Sequence, residues 1–377
     1  MPVLLGLVLV STAELGPVLG VQGGRFTLDG GPVFLLGCSY YGALGVDDEA
    51  AIEADLDDLE RIGFNWIRVW ATWNAFGNDI SVLMVDGVPN KSGLERLTRL
   101  CEMAGKRGMV VDVTVSRGKD DCFPHDLKSH LAVMEQLART LKPFRNVYFD
   151  LGNERNVRDG RYVSMEEVAK LTGAVKALDP ERLCTASNAG GDLEPEKAAR
   201  YITAGRVDFI APHRQRGPGT PAGTEAYTRS LRRAIEEAGH VVPILYQEPF
   251  RRGYQDWEPS AEDFMRDLAG ARDGGAAGWC FHNGATRSAA AGRPRRSFDM
   301  RRGEGRLFEQ LDAEELRFLH LLEQQKPTSE RAVAGAPKKT FSERPLGTPL
   351  VPSEGILTPC QGTSGTVKLA SGWQGSG

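Results

Sequence analysis

The chain has 377 residues, 41% of them hydrophobic and 25% charged, a mix that supports a large buried core in one large domain or two small ones. A formal net charge of −4 and a pI near 6.0 exclude the basic field that draws proteins onto nucleic acid, so partners have to be argued from sites. The six cysteines, at 38, 101, 122, 184, 280 and 360, form no CxxC pair and share no ligand spacing with histidine, which points away from a zinc site or disulfide framework and towards buried free thiols.

Residues 1–22 read as a leader or atypical signal segment: an apolar run over 1–10, then the small residues Ser11, Thr12 and Ala13, without a basic n-region. The run falls far short of the roughly 20 residues of a membrane helix, so no span is expected. A secreted or periplasmic location is favoured over a cytoplasmic one.

A hairpin is expected over 25–34, where Asp29-Gly30 supplies the positive φ angles of a tight turn, and it would plug the bottom of the domain. Short apolar, β-branched runs then alternate with helical stretches, the pattern of βα units on a parallel sheet. The strands read 34–37, 66–70, 109–115, 147–151, 182–186, 209–211, 244–247 and 278–281. Their near-continuous apolar content suits strands buried on both faces.

Amphipathic helices are expected at 53–62, 94–106, 127–141, 165–178, 224–238 and 261–271, with a last one at 313–322 closing the ring. Gly63, Gly108 and Gly239 follow three of them as stops. Eight such units predict an α/β fold, a (β/α)8 TIM barrel over 23–325, rather than an open doubly wound sheet. No GxGxxG or Walker-type loop follows the first strand to support the latter. Beyond residue 325 the chain turns to Pro, Gly, Ser, Thr and Lys with few aromatics, a disordered tail over 326–377.

In such a barrel the active site is built at the carboxyl ends of the strands. Strand four ends Asp150-Leu151-Gly152-Asn153-Glu154 and strand seven ends Gln247-Glu248-Pro249, which places two carboxyls at the mouth. Cleaving a glycosidic bond needs such a pair, because the leaving oxygen must be protonated while positive charge develops at the anomeric carbon. On base rates a lone strand-end glutamate is more often solvated or salt-bridged than catalytic. Two together, beside Asn153 and Arg68, converge on roles.

With Asn153-Glu154 after strand four and Glu248 after strand seven, the chain resembles the clan A glycoside hydrolases, retaining barrel enzymes, over roughly residues 25–322. Family five, with its cellulases and mannanases, is the nearest branch. The resemblance implies Glu154 as acid/base, Glu248 as nucleophile and Asn153 as a donor to the sugar hydroxyl beside the reacting carbon. It also implies that Arg68, in strand two, points at the nucleophile and keeps it ionised, as an opposite charge lowers a carboxyl pKa. The chain departs from family five after strand three, where Thr114-Val115-Ser116-Arg117 replaces a histidine, and near the strand-six histidine, where Gln215 stands in place of a tyrosine.

His213 after strand six and His282 after strand eight are further substrate-binding candidates, with satisfied wall residues as their bland alternative. Trp279 and Trp70 are candidates for an aromatic platform under the sugar, and Trp66 reads as core. Asp112 and Asp150 take no role, since alternation could turn them either way; His125 and His130 read as surface residues. Without HExxH or paired-ligand spacing, neither metal nor cofactor is expected.

Arg117, Arg155, Arg214, Arg216, Arg251 and Arg252 crowd the rim. Guanidinium forks suit carboxylates or sulfates, so arginines facing the cleft would fit a carbohydrate partner that carries acid groups. A non-catalytic glycan-binding barrel and a transglycosylase with the same carboxyl pair stay open as alternatives.

Overall fold

A computed structural model of the chain describes residues 16–73, 81–82, 88–116, 122–158, 161–189, 191–254, 256–284, 296–301, 303 and 305–325. The apolar start at 1–15, Arg117, Cys360 and the tail at 326–377 lie outside them.

Strands β1 (Leu19–Gln22), β2 (Arg25–Leu28) and β3 (Gly31–Val33) form an antiparallel sheet in that order. The β2–β3 turn falls where expected, with Asp29 at φ 50° and Gly30 at φ 80°. β1 corrects the expected leader boundary: Leu19 pairs with Leu28 and is buried, so the folded unit begins ahead of residue 22. A four-residue edge strand is too short for its pattern to be told from the end of a leader.

The parallel strands come next: β4 (Leu35–Ser39), β5 (Trp66–Trp70), β6 (Val110–Thr114), β7 (Val147–Asp150), β8 (Cys184–Thr185), β9 (Ser187–Asn188), β10 (Ala211–Pro212), β11 (Leu245–Tyr246) and β12 (Gly278–Phe281). One sheet runs β11-β12-β4-β5-β6-β7-β8. β8 and β9 are two halves of one strand position either side of Ala186. Ser187 pairs with Ala211, and Ile210 bridges to Ile244, which closes the ring into a (β/α)8 barrel.

Among the described residues eight helices surround it: α1 (Glu49–Ile62), α2 (Lys91–Gly105), α3 (Leu127–Leu141), α4 (Met165–Leu178), α5 (Pro195–Thr203), α6 (Thr220–Glu237), α7 (Ala261–Gly274) and α8 (Ala313–Gln324). Their starts are written in the sequence. Asp126, Ser164, Ser260 and Asp312 each accept a first-turn N–H and form capping boxes. α1 stops at Gly63, whose φ of 112° needs a residue without a Cβ. α5 is the helix the periodicity did not reveal, because nine residues burying only Ala198 and Tyr201 give too little pattern. Among the described residues no helix is long and apolar enough to cross a membrane.

Inside the barrel, alternation along each strand separates a dry floor from a polar upper layer. The floor is Leu35, Trp66, Val110, Tyr148, Leu183, Phe209 and Leu245. Trp66 has room there because Gly37 lacks a Cβ, which would run into its ring. The N-terminal sheet caps this floor through Phe26, fully buried with its ring 5.0 Å from that of Phe209. Phe26→Ala should therefore destabilise the fold by about 3–5 kcal/mol, with no change in KM, when measured by denaturant unfolding beside steady-state kinetics. A loss below about 1 kcal/mol would show that the plug is not part of the core. Cys38, Cys101, Cys184 and Cys280 are buried free thiols, and Cys122 is half-buried.

Candidate active site

The upper layer is organised by one guanidinium. Arg68 points inward from β5 and is fully buried. Its Nη1 donates to Glu248 Oε1 at 2.6 Å, its Nη2 to Asn153 Oδ1 at 2.8 Å and Asp150 Oδ2 at 3.2 Å, and its Nε to Thr114 Oγ1 at 3.1 Å. Asp112 Oδ2 lies 3.2 Å from the same Nε. Both aspartates thus face inward, which the sequence left open. Asp112 also accepts from Tyr148 and Gln247, and burial, opposed by Arg68, pushes its carboxyl up to about 7.

Glu248 lies two residues beyond β11. Oε1 accepts from Arg68 and from Tyr41 OH at 3.1 Å, and Oε2 accepts from Arg216 Nη2 at 2.8 Å. His282 Nε2 and His213 Nδ1 stand 3.3 and 3.6 Å from Oε2. Burial alone would raise this carboxyl. The positive charge of His213, His282, Arg68 and Arg216 outweighs it and holds Glu248 well below the usual carboxylate range. His282 is itself pushed well below its ordinary value, by burial first and then by the neighbouring arginines. Arg68 and Arg216 are the two neighbours of Glu248 whose charge is permanent.

Glu154 stands opposite, just past β7. It is a non-glycine residue with a left-handed backbone, φ 48°, and its N–H is held by Ser187 Oγ at 2.9 Å. Such strain persists only where surroundings enforce it, and it turns this carboxyl into the mouth. Oε1 lies 3.1 Å from His213 Nδ1. Glu154, His213 and Glu248 each bring one polar atom within 4.8 Å of the others. A cation could be held by such a trio, but two guanidinium groups already neutralise Glu248, and a third positive charge there would be repelled.

Asn153, Arg68, His213 and His282 therefore meet around the glutamate pair, and Trp70 reaches it only through Tyr41. Trp70 packs against Trp73 at 3.8 Å and Tyr41 at 4.7 Å, and Trp73 is half-buried. Trp279 is a correction: it points outward, Nε1 donating to Asp267 at 2.7 Å, its ring 5.7 Å from Phe318 on α8. Alternation explains this, since Cys280 belongs to the barrel floor cluster and Trp279 must then face the helices.

The rim arginines divide. Arg155 bonds Tyr201 OH and Val163 O, Arg214 bonds Asp192 and Thr224, and Arg252 bonds Asp312 and Pro259 O, so these three serve the framework. Only Arg216 and Arg251, among those described, stand beside Glu248 and His282. His130 is a second correction: it is fully buried against Arg161, its neutral form favoured by burial, which takes its pKa down to about 3. His125 is exposed as expected. Tyr41, which no sequence signal marked, lies just past β4 and donates its hydroxyl to Glu248.

No protein-family model and no curated protein matches the sequence. The fold is similar to three solved barrels. An endo-1,4-β-mannanase from Rhizomucor miehei superposes with a TM-score of 0.56 at 14% identity, over 73% of this chain and 93% of that one. A glycoside hydrolase family 5 mannosidase from the same organism gives 0.58 at 13%, over 81% and 97%. A β-glucanase from Saccharophagus degradans in complex with cellotetraose gives 0.57 at 13%, over 86% and 97%. At such identities the likeness is one of fold.

Proposed function

We propose that this barrel is a retaining glycoside hydrolase acting on a carbohydrate, with Glu248 as nucleophile and Glu154 as general acid/base. The observation that carries the reading is a close carboxyl pair, oxygens within 4.8 Å, in unequal surroundings: one clamped by two arginines, the other beside an imidazole. Retaining enzymes separate their carboxyls by about 5–5.5 Å, whereas inverting ones leave about 6.5–9.5 Å for a water. The mannanase, mannosidase and β-glucanase barrels of similar fold are glycosidases, which agrees.

In the first step Glu154 gives its proton to the glycosidic oxygen while a Glu248 oxygen bonds to the anomeric carbon, and the C–O bond to the leaving alcohol breaks. In the second, Glu154 takes a proton from water, whose oxygen displaces Glu248 at the same carbon. Two inversions give retention. Arg68 occupies the Asn153 side-chain carbonyl, so the amide NH2 is turned towards a sugar hydroxyl. Trp70 and the half-buried Trp73 offer the stacking face.

Glu154→Gln tests the acid role. Turnover of a glycoside with a poor alkoxide leaving group should fall by about 10²–10⁴-fold, and that of a 2,4-dinitrophenyl glycoside, which needs no proton, far less. Equal losses on both would remove Glu154 from the role.

The arginine clamp has its own signature in pH. Glu248 must be ionised to attack, so activity rises with pH through its pKa. Arg216→Met removes a cation and raises that pKa, and the acid limb of kcat/KM should move up by about one to three pH units. An unmoved limb would mean that Arg216 does not set the charge of Glu248. Read as part of a leader, the apolar run over 1–10 favours a secreted or periplasmic location over a cytoplasmic one, and the mass of the mature protein from its host tests that.

A further inference from the structure

The hydrolytic reading leaves one buried charge without a purpose. Arg251, three residues past Glu248, is 5% exposed. Its Nη1 lies 3.2 Å from His282 Nε2, its Nε has no partner, and no carboxylate comes within ion-pair distance of it among the described residues. Arginines buried as deeply are compensated: Arg68 by Glu248, Arg182 by Asp179, Arg214 by Asp192 and Arg296 by Glu315.

Arg251 has instead a second cation for a neighbour. Its guanidinium carbon lies 4.5 Å from the centre of the Tyr254 ring and that of Arg216 lies 4.6 Å from the same ring. Arg216 is anchored on Glu248, so the pair presents one neutralised and one uncompensated guanidinium. A buried, unpaired charge beside a like charge is costly, and a fold keeps it where something else supplies the counter-charge. His282 Nε2 lies 3.2 Å from Arg251 Nη1 and 3.3 Å from Glu248 Oε2, so the unpaired guanidinium and the nucleophile meet at one imidazole nitrogen, and a substituent on a sugar held at Glu248 lies within reach of Arg251.

We propose that Arg251, flanked by Arg216, seats an anionic group of the sugar that binds at Glu248, so that the substrate is an acidic glycan. This rests on the glycosidase reading for the location of the sugar. A uronic-acid carboxylate and a sulfate ester share the chemistry, two or three oxygens that match the guanidinium fork. The three rim arginines tied into the framework contribute nothing to it. The specificity lies in one residue.

The test is binding, which needs no turnover. Glucuronate, galacturonate and glucose 6-sulfate, with glucose and galactose as uncharged counterparts, are titrated into the full-length protein and followed by NMR. At least one charged sugar should bind about tenfold or more tightly than its uncharged counterpart. The Arg251 Nε–H resonance, assigned by its loss in Arg251→Lys, should shift with that sugar and not with the neutral one. Arg251→Met should bring the affinity ratio close to one, and whichever of the uronates or the sulfate loses its advantage identifies the anion.

Equal affinities across the set, or an Arg251 resonance that never moves, would overturn the proposal even if Arg251→Met failed to fold. The two readings fail separately. Hydrolysis of neutral glycosides through Glu248 without any preference for charged sugars would sink this inference alone. Charged sugars held at Arg251, with no substrate turned over, would support the anion seat and sink the hydrolase reading alone.

Discussion

Glu248→Gln should lower kcat by at least about four orders of magnitude on every glycoside the wild type cleaves, the scale on which a covalent nucleophile is lost. Gln keeps the shape, and its one carbonyl oxygen can still accept from Arg68 and Tyr41 while the bond from Arg216 is lost, so the fold should survive and the loss should be chemical. The complementary measurement uses the wild type with a 2-deoxy-2-fluoro glycoside carrying a good leaving group. The fluorine slows both steps and the leaving group restores the first, so the glycosyl enzyme accumulates, and peptide mass analysis should find the sugar on Glu248. A Gln variant with near-wild-type turnover, or an adduct on Glu154, would reverse the assignment.

The second large effect belongs to Arg68. Its guanidinium is the shared cation of Glu248, Asp112 and Asp150, all buried. Arg68→Met strands three carboxylates in the barrel. Breaking a buried pair costs about 3–5 kcal/mol, a large share of the roughly 5–15 kcal/mol typical of folded domains. The melting temperature should drop on the order of 10 °C.

The same substitution should raise the pKa of Glu248, because a cation that favours its charged form is gone. Activity at neutral pH should then fall and partly return as pH rises. Arg68→Lys keeps a charge but loses the fork that reaches Glu248, Asn153 and Asp150 together, so it should recover some stability and little rate. A melting point within about 2 °C of wild type, with an unmoved acid limb, would mean that Arg68 is not the keystone of this layer.

Both expectations depend on residues visible in the sequence and on contacts that were not. The βα repeat, the stop at Gly63 and the Asp29-Gly30 turn are local signals, set by a few adjacent residues, and the structure has them where the sequence puts them. Strand-end position made Glu154 and Glu248 candidates for the same reason: in a barrel the carboxyl ends share one mouth.

Partners were legible only where a general rule supplied them. Arg68 toward Glu248 came from the resemblance, and the contact at 2.6 Å agrees with it. Tyr41 carried no signal, because its hydroxyl reaches Glu248 from the far end of the chain, 207 residues away. Trp279 was misplaced for want of strand phase. His130 lies on the buried face of α3 with Val133, Met134, Leu137 and Leu141, where it meets Arg161, and its residue type alone points to the surface.

The barrel and the carboxyl pair were therefore already set by short stretches of chain, because secondary-structure period and strand-end position are local properties. Which cations meet which anions was left to the folded arrangement. Six arginines look alike in a sequence, and their charge compensation depends on groups brought together from distant strands. That is why Arg155, Arg214 and Arg252 turn out to hold the frame and why Arg216 joins Arg68 against Glu248. For the same reason Arg251, among the described rim arginines, is the one left facing the cleft's chemistry without a counter-ion.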